Sequence, residues 1–230
     1  QVKNMPRLAD ETLRAVQRLP GTTTNGFSSI GSVRGGEPNE TAIVLDGLRL
    51  YEPFHLKNFL SPVSLLDSRL IDSLEFYSGG FPVVYGDRMS AIIDATAVRP
   101  TDPHYFEIGV NLFHSSALAA TQLADGRGHA LVSARRSNVG DLAYLSENDF
   151  GEPQYSDGFA RLDYAFNDAT TAALETLISS DTIEARQQHG QQQARAKYRN
   201  IYTWATVDHQ WRDGAATRVI ASYTDLENRR

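Results

Sequence analysis

Phe106, Ile108, Val110 and Leu112 are apolar, and Glu107, Gly109 and Asn111 between them are not. Successive side chains of a strand point to opposite faces, so this period of two predicts a strand with one oily and one polar face. The pattern returns at 159–167, where Leu162, Tyr164 and Phe166 alternate with Arg161, Asp163 and Ala165. It returns again at 171–179, where Leu174 and Ile178 alternate with Glu175 and Leu177; 201–211 and 216–224 alternate less cleanly. Short turns at 125–128, 167–169 and 212–214 interleave with polar connections at 137–157 and 181–199, the latter carrying five Gln within 187–196. A barrel that spans a membrane has this order, because one rim needs only tight turns while the other carries long external loops. A soluble sandwich can produce the same order by chance.

Composition narrows the classes. The 230 residues include 22 Lys plus Arg against 28 Asp plus Glu, a net charge of -6, and no Cys. A disulfide scaffold, a thiolate metal site and a catalytic cysteine are excluded, and the mildly acidic balance argues against a nucleic-acid surface. Nowhere do 18 apolar residues run together, which excludes a transmembrane helix and leaves a membrane barrel open. Residues 1–7 lack the charged, apolar and cleavage-site succession of a secretory signal, which is therefore expected outside this chain.

Arg99-Pro100-Thr101-Asp102-Pro103 can continue neither a helix nor a central strand, so a boundary is expected there. Before it, Asp10 is a plausible cap for a short helix bearing Leu13, Val16 and Leu19 on one face and ending at Leu19-Pro20-Gly21. The Thr-Thr-Thr-Asn-Gly stretch that follows reads as a loop, and 27–33 as strand-like. Residues 42–45 and 48–51 are apolar runs joined by Asp46-Gly47, the dipeptide suited to a type I′ turn. Ser61-Pro62 reads as a cap and first-turn proline opening a short helix to about Asp67. Strands are expected at 70–77 and 90–98, separated by Gly79-Gly80-Phe81-Pro82 and Tyr85-Gly86-Asp87.

Enzymatic motifs are sparse. The stretch from Gly26 to Gly31 misses the nucleophile-elbow spacing by one residue, leaving a Ser28, His55 and Asp46 triad as the one hydrolase arrangement worth naming. The six His make no i, i+4 pair, and neither a phosphate loop nor a dinucleotide fingerprint is present. No cofactor and no metal site is expected.

Read in order, Leu19-Pro20-Gly21, Ser32-Val33-Arg34-Gly35-Gly36, Val44-Leu45-Asp46-Gly47, Tyr51-Glu52-Pro53-Phe54-His55-Leu56, the run from Leu74 to Pro82, and Tyr85-Gly86-Asp87-Arg88 resemble the plug domain of TonB-dependent outer-membrane receptors. The Tyr-Glu-Pro-Phe-His-Leu and Gly-Gly-Phe-Pro segments are similar to the branch that often carries a carboxypeptidase-regulatory-like N-terminal domain. Residues 104–230 resemble the opening of the family's barrel, with Leu131 to Ser137 on its third strand. The resemblance implies an α+β plug over 1–100 followed, over 101–230, by about seven antiparallel transmembrane β-barrel strands. It implies a fragment of a larger receptor, since seven strands cannot enclose a large lumen and open edges cannot face lipid.

What the resemblance implies about function follows from that fold. The plug blocks the barrel in a Gram-negative outer membrane. A small ligand or metal chelate (siderophore-like, cobalamin, glycan or peptide) binds between plug and external loops, and the TonB-ExbB-ExbD complex pulls on the plug through an N-terminal segment. The partners implied are that complex, outer-membrane lipid and the ligand, with no nucleic acid. Arg34, Gly35, Gly36, Asp46, Gly47, Gly79, Gly80, Tyr85, Gly86 and Arg88 carry the plug signature. Glu107, Arg135, Arg161, Asp163 and Glu175 are the residues expected to face the lumen, and 21–26, 53–59, 137–157 and 181–199 the segments expected to touch ligand. Arg34 or Arg88 is expected either to pair with Glu107 or Glu175, or, for Arg34, to brace the Gly35-Gly36 turn through nearby carbonyls. A soluble secreted β-rich binding module is the alternative, and it needs the oily strand faces to pack on one another.

Overall fold

The computed structural model describes residues 11–24, 28–57, 61–86, 89–100, 102–138, 153–186 and 193–229. They divide into two compact units at Val98 and Arg99.

The first unit is built on a four-stranded sheet. Strands β3 (Thr41–Leu45) and β4 (Leu48–Leu50) form the expected hairpin, and both turn residues take positive φ, 46° at Asp46 and 90° at Gly47. Strand β5 (Ile71–Tyr77) lies antiparallel to β6 (Ala91–Ala97), and β6 lies parallel to β3 with Thr41 opposite Ala91. The order is β4-β3-β6-β5. The two central strands are apolar on both faces: Ala42 to Leu45 and Ala91 to Ile93 are all buried, with Leu56, Val63, Leu65 and Leu66 completing the core.

Three local expectations are overturned here. The first helix is a single turn, α1 (Leu13–Val16), and Leu19 is exposed. Pro20 offers no N–H to continue the ladder, and the Thr22 hydroxyl donates to the carbonyls of Gln17 (2.9 Å) and Leu19 (2.7 Å), closing the end of the turn. Thr22–Thr24, expected as loop, is strand β1, paired with β2 (Gly31–Val33) from Thr22 opposite Val33 to Thr24 opposite Gly31. The predicted helix at 61–67 is absent. Its amides serve distant acceptors instead: Ser64 N–H goes to the Glu11 carboxylate at 2.7 Å and Leu65 N–H to the Pro53 carbonyl at 2.8 Å, with Ser61 at φ 39°.

The second unit is one antiparallel meander of seven strands, β7 (His104–Val110), β8 (His114–Leu123), β9 (Gly128–Ser137), β10 (Gln154–Asn167), β11 (Thr170–Arg186), β12 (Gln193–Gln210) and β13 (Ala216–Arg229), each bonded to its neighbours in sequence. Among the described residues β7 and β13 are open edges. The predicted strands are all present and mostly longer than the alternation indicated. The 181–199 connection is largely strand, since pairing runs to Arg186 opposite Gln193 and Arg195 meets Glu184 across the strands at 3.0 Å. Only 187–192 of it, like 139–152 of the other long connection, lies outside the described residues. The oily face of the sheet is open: Phe106, Ile108 and Val110 are 68%, 67% and 75% exposed. A soluble sandwich would bury these side chains against a second layer.

Candidate functional site

The glycine and arginine positions singled out in the first unit knit its turns together. Arg34 sits at φ 53°, its N–H bonds the Gly21 carbonyl at 2.7 Å, and its Nη1 donates to the Ser78 carbonyl at 2.6 Å. A Cβ on Gly79 would stand 2.8 Å from that Nη1, so glycine there is what lets the guanidinium reach across. Gly36 is confined differently: a Cβ would meet Ser90 Cβ at 2.8 Å and Glu40 Oε2 at 2.5 Å, while the Ser90 hydroxyl bonds the Val33 carbonyl at 2.6 Å. Gly35 and Gly80 take positive φ (76° and 63°) in open space, and Gly86 is likewise uncrowded. The Asp46 carboxylate accepts the Ala97 N–H at 3.2 Å, tying the hairpin to β6. Tyr85 donates its hydroxyl to Asp94 on β6 and lies 6.3 Å from the Tyr77 ring. Burial, then that bond, pushes the Tyr85 phenol well above its ordinary value. Arg88 lies outside the described residues.

Beside these turns is a cavity of about 310 Å³ walled by α1, β2 and the 49–57 segment. Ile30, Ile93 and Phe54 give it an apolar lining, and Asn39 a polar one. The Arg49 guanidinium lies 4.6 Å from the Tyr51 ring centroid, a cation on an aromatic face. Lys57 pairs with Glu52 at the same wall. Thr22, Pro53, Phe54 and Lys57, from two segments expected to touch ligand, all line it. Ser28, by contrast, uses its hydroxyl to accept the Ile30 N–H at 2.9 Å, so this serine stabilises its own turn.

Residues 3–91 match the model of the TonB-dependent receptor plug domain. The chain carries a TonB-dependent receptor plug. Solved structures of similar fold include the siderophore receptor PirA from Pseudomonas aeruginosa (15% identity, TM-score 0.64, covering 98% of this chain and 39% of that one). The outer membrane transporter YddB from Escherichia coli (12%, 0.68, 99% and 38%) and the alcaligin outer membrane receptor FauA from Bordetella pertussis (17%, 0.68, 95% and 36%) are also similar. The chain thus spans less than two fifths of the length of these structures. Comparison with curated proteins gives no match.

The strands that follow the plug have the dimensions of a barrel wall. On β12, Tyr198, Asn200, Tyr202, Trp204 and Thr206 are buried, which leaves Ile201, Thr203, Ala205, Val207 and His209 on the other face, with Trp211 just past its end. The ten steps from Ile201 to Trp211, at about 3.3 Å each, cover about 33 Å. A tilt of 35–45° brings that to about 25 Å, the height of the apolar band of an outer-membrane barrel. Beyond Ile201 the same face carries Arg199 and Lys197.

Glu107, Arg135, Arg161, Asp163 and Glu175 share the polar face of the sheet. Arg135 makes two bonds to Asp157 Oδ2, at 2.9 Å from Nε and 2.6 Å from Nη2, and both side chains are buried. Arg161 lies 3.2 Å from Asp163 and 3.3 Å from Glu175, and His129 reaches the other oxygen of Asp163 at 2.9 Å. Glu107 accepts the Tyr105 hydroxyl. Glu175 thus meets Arg161 within the sheet, and the Arg34 guanidinium bonds a carbonyl within the first unit. Sequence reasoning missed Asp157, His129 and Glu11. Asp157 stands directly opposite Arg135 and Asp163 opposite His129, so strand register is the signal that would have found two of the three.

Proposed function

We propose that this chain supplies the plug and adjoining wall of a TonB-dependent receptor that takes up a scarce, siderophore-like ligand across a Gram-negative outer membrane, with the plug gating the lumen. The observation that carries the reading is a plug domain followed by seven antiparallel strands with one open, largely apolar face, which on β12 extends over about 25 Å once tilted. The cavity lined by Arg49, Tyr51, Phe54 and Asn39 is the ligand contact on the plug; its cationic and aromatic groups suit an anionic, ring-bearing chelate. Transport of this kind draws its energy from the TonB-ExbB-ExbD complex, so the plug needs positioning groups and no reacting ones.

The test is uptake by cells carrying the full receptor gene, its deletion, and an Arg49→Ala version, supplied with radiolabelled ferric chelates and cobalamin. Loss of one substrate class on deletion, and a roughly tenfold loss with Arg49→Ala, is the expected result, a charge-assisted contact contributing about 1.5–3 kcal/mol. Unchanged uptake of every substrate on deletion, with the protein in the soluble fraction, would overturn the proposal.

A further inference from the structure

At the short-turn rim of the seven-stranded sheet, a cation is seated on an aromatic ring at the border of the apolar face. Gly128 opens β9 directly opposite Tyr164 of β10. A Cβ on Gly128 would lie 3.0 Å from the Tyr164 ring, so the glycine leaves room for that ring to lie across the neighbouring strand. The Arg127 guanidinium lies 5.6 Å from the ring centroid, and Phe166 meets the same ring edge-on at 5.2 Å while remaining 61% exposed. The turn that presents Arg127 has three successive positive φ values, 51° at Ala124, 57° at Asp125 and 85° at Gly126. Two of those residues are not glycine, and such a path persists only where neighbours fix it. Here the Ala165 N–H bonds the Arg127 carbonyl at 2.7 Å, clamping the turn to β10.

Arg127 is exposed, and its side chain makes one hydrogen bond, from Nε to the Ala124 carbonyl at 3.5 Å. Among the described residues its two terminal nitrogens meet no protein acceptor, although Asp125 stands two positions away in the same turn. Leu162 and Val132 continue the exposed apolar face from this point. A guanidinium with free N–H donors, rings beside it at the rim, and oily side chains running away from it to one side match a phospholipid: phosphodiester at the guanidinium beside Tyr164 and Phe166, first acyl carbons along Leu162 and Val132.

We propose that Arg127, Tyr164 and Phe166 form a binding site for the phosphate of a phospholipid headgroup in the leaflet on the short-turn side of the membrane. The site rests on the outer-membrane reading above. The test uses the full-length receptor, purified from outer membranes in mild detergent and offered dioleoyl-phosphatidylglycerol or dioleoylglycerol, with retained lipid read by native mass spectrometry. Wild type is expected to retain the phosphatidylglycerol and not the dioleoylglycerol. Arg127→Gln is expected to retain roughly fivefold less, as losing one cation at a lipid surface predicts, and Arg127→Lys to retain an intermediate amount. Heat-modifiable migration on gels shows which variants hold a folded barrel; Tyr164→Leu is informative if folded, and Arg127→Gln, a turn substitution, decides the matter if it is not. Equal retention by folded Arg127→Gln and wild type, or equal retention of dioleoylglycerol, would overturn the site while leaving the receptor reading intact. A receptor missing from the outer-membrane fraction would overturn both.

Discussion

Tyr85 and Asp94 show what single side chains contribute in the plug. Burial and the bond to Asp94 raise the phenol above the ordinary value of about 10, so the folded state holds this proton more tightly than the unfolded chain does. Stability from the pair is complete below about pH 10 and is lost as pH rises through the raised folded value. Tyr85→Phe should remove one late-titrating phenol in an ultraviolet titration and lower plug stability by about 1 kcal/mol near neutrality. The glycines separate by what they face. Gly36→Ala drives a methyl into Ser90 Cβ, fixed on the core strand side, whereas Gly79→Ala meets only the flexible end of Arg34. Gly36→Ala should therefore cost more, about 1–3 kcal/mol, and Gly79→Ala should mimic Arg34→Ala; urea unfolding of the receptor series would rank them.

Among the elements, the Arg135–Asp157 pair joins β9 to β10 where neither charge meets water. Asp157→Ala removes the carboxylate that takes two bonds from a buried guanidinium and should cost about 3–5 kcal/mol, while Arg135→Met with Asp157→Leu should recover most of it; unfolding in lipid vesicles checks both. The strands of the second unit were legible because a period of two survives in sequence, and the Asp46-Gly47 hairpin because its turn chemistry is local. Two of the failures share one cause. Helix at 61–67, loop at Thr22–Thr24 and a longer α1 were all reasonable local readings. Partners outside the local window decided the first two, Glu11 for Ser64 and Pro53 for Leu65 at 61–67 and Val33 for Thr22, whereas α1 was cut short locally by Pro20 and the Thr22 hydroxyl. The site followed the same rule. The turn glycines could be named from sequence, but the Asp157 that neutralises Arg135 depends on register, which alternation alone does not set.

At the level of the whole chain, the oily face of the second unit is the surface that the proposed receptor turns to lipid. Val207 lies mid-band on β12, and Val207→Arg should cost about 2–4 kcal/mol of insertion free energy if it sits at the bilayer midplane, less near either border; the fraction of heat-modifiable barrel recovered from membranes measures it. The two units also differ in how their pairings are reached along the chain. Each strand of the meander finds its partner next in sequence, so closing each step costs little loop entropy. The plug sheet pairs β3 with β4 and β5 with β6 locally, but its central pair joins Thr41 to Ala91 in parallel, so the inner edges of β3 and β6 stay open until that long loop closes. The wall can assemble strand by strand as it emerges, whereas the plug must wait for about 50 intervening residues, making it the slow, late step and the part most in need of protection from aggregation before it closes.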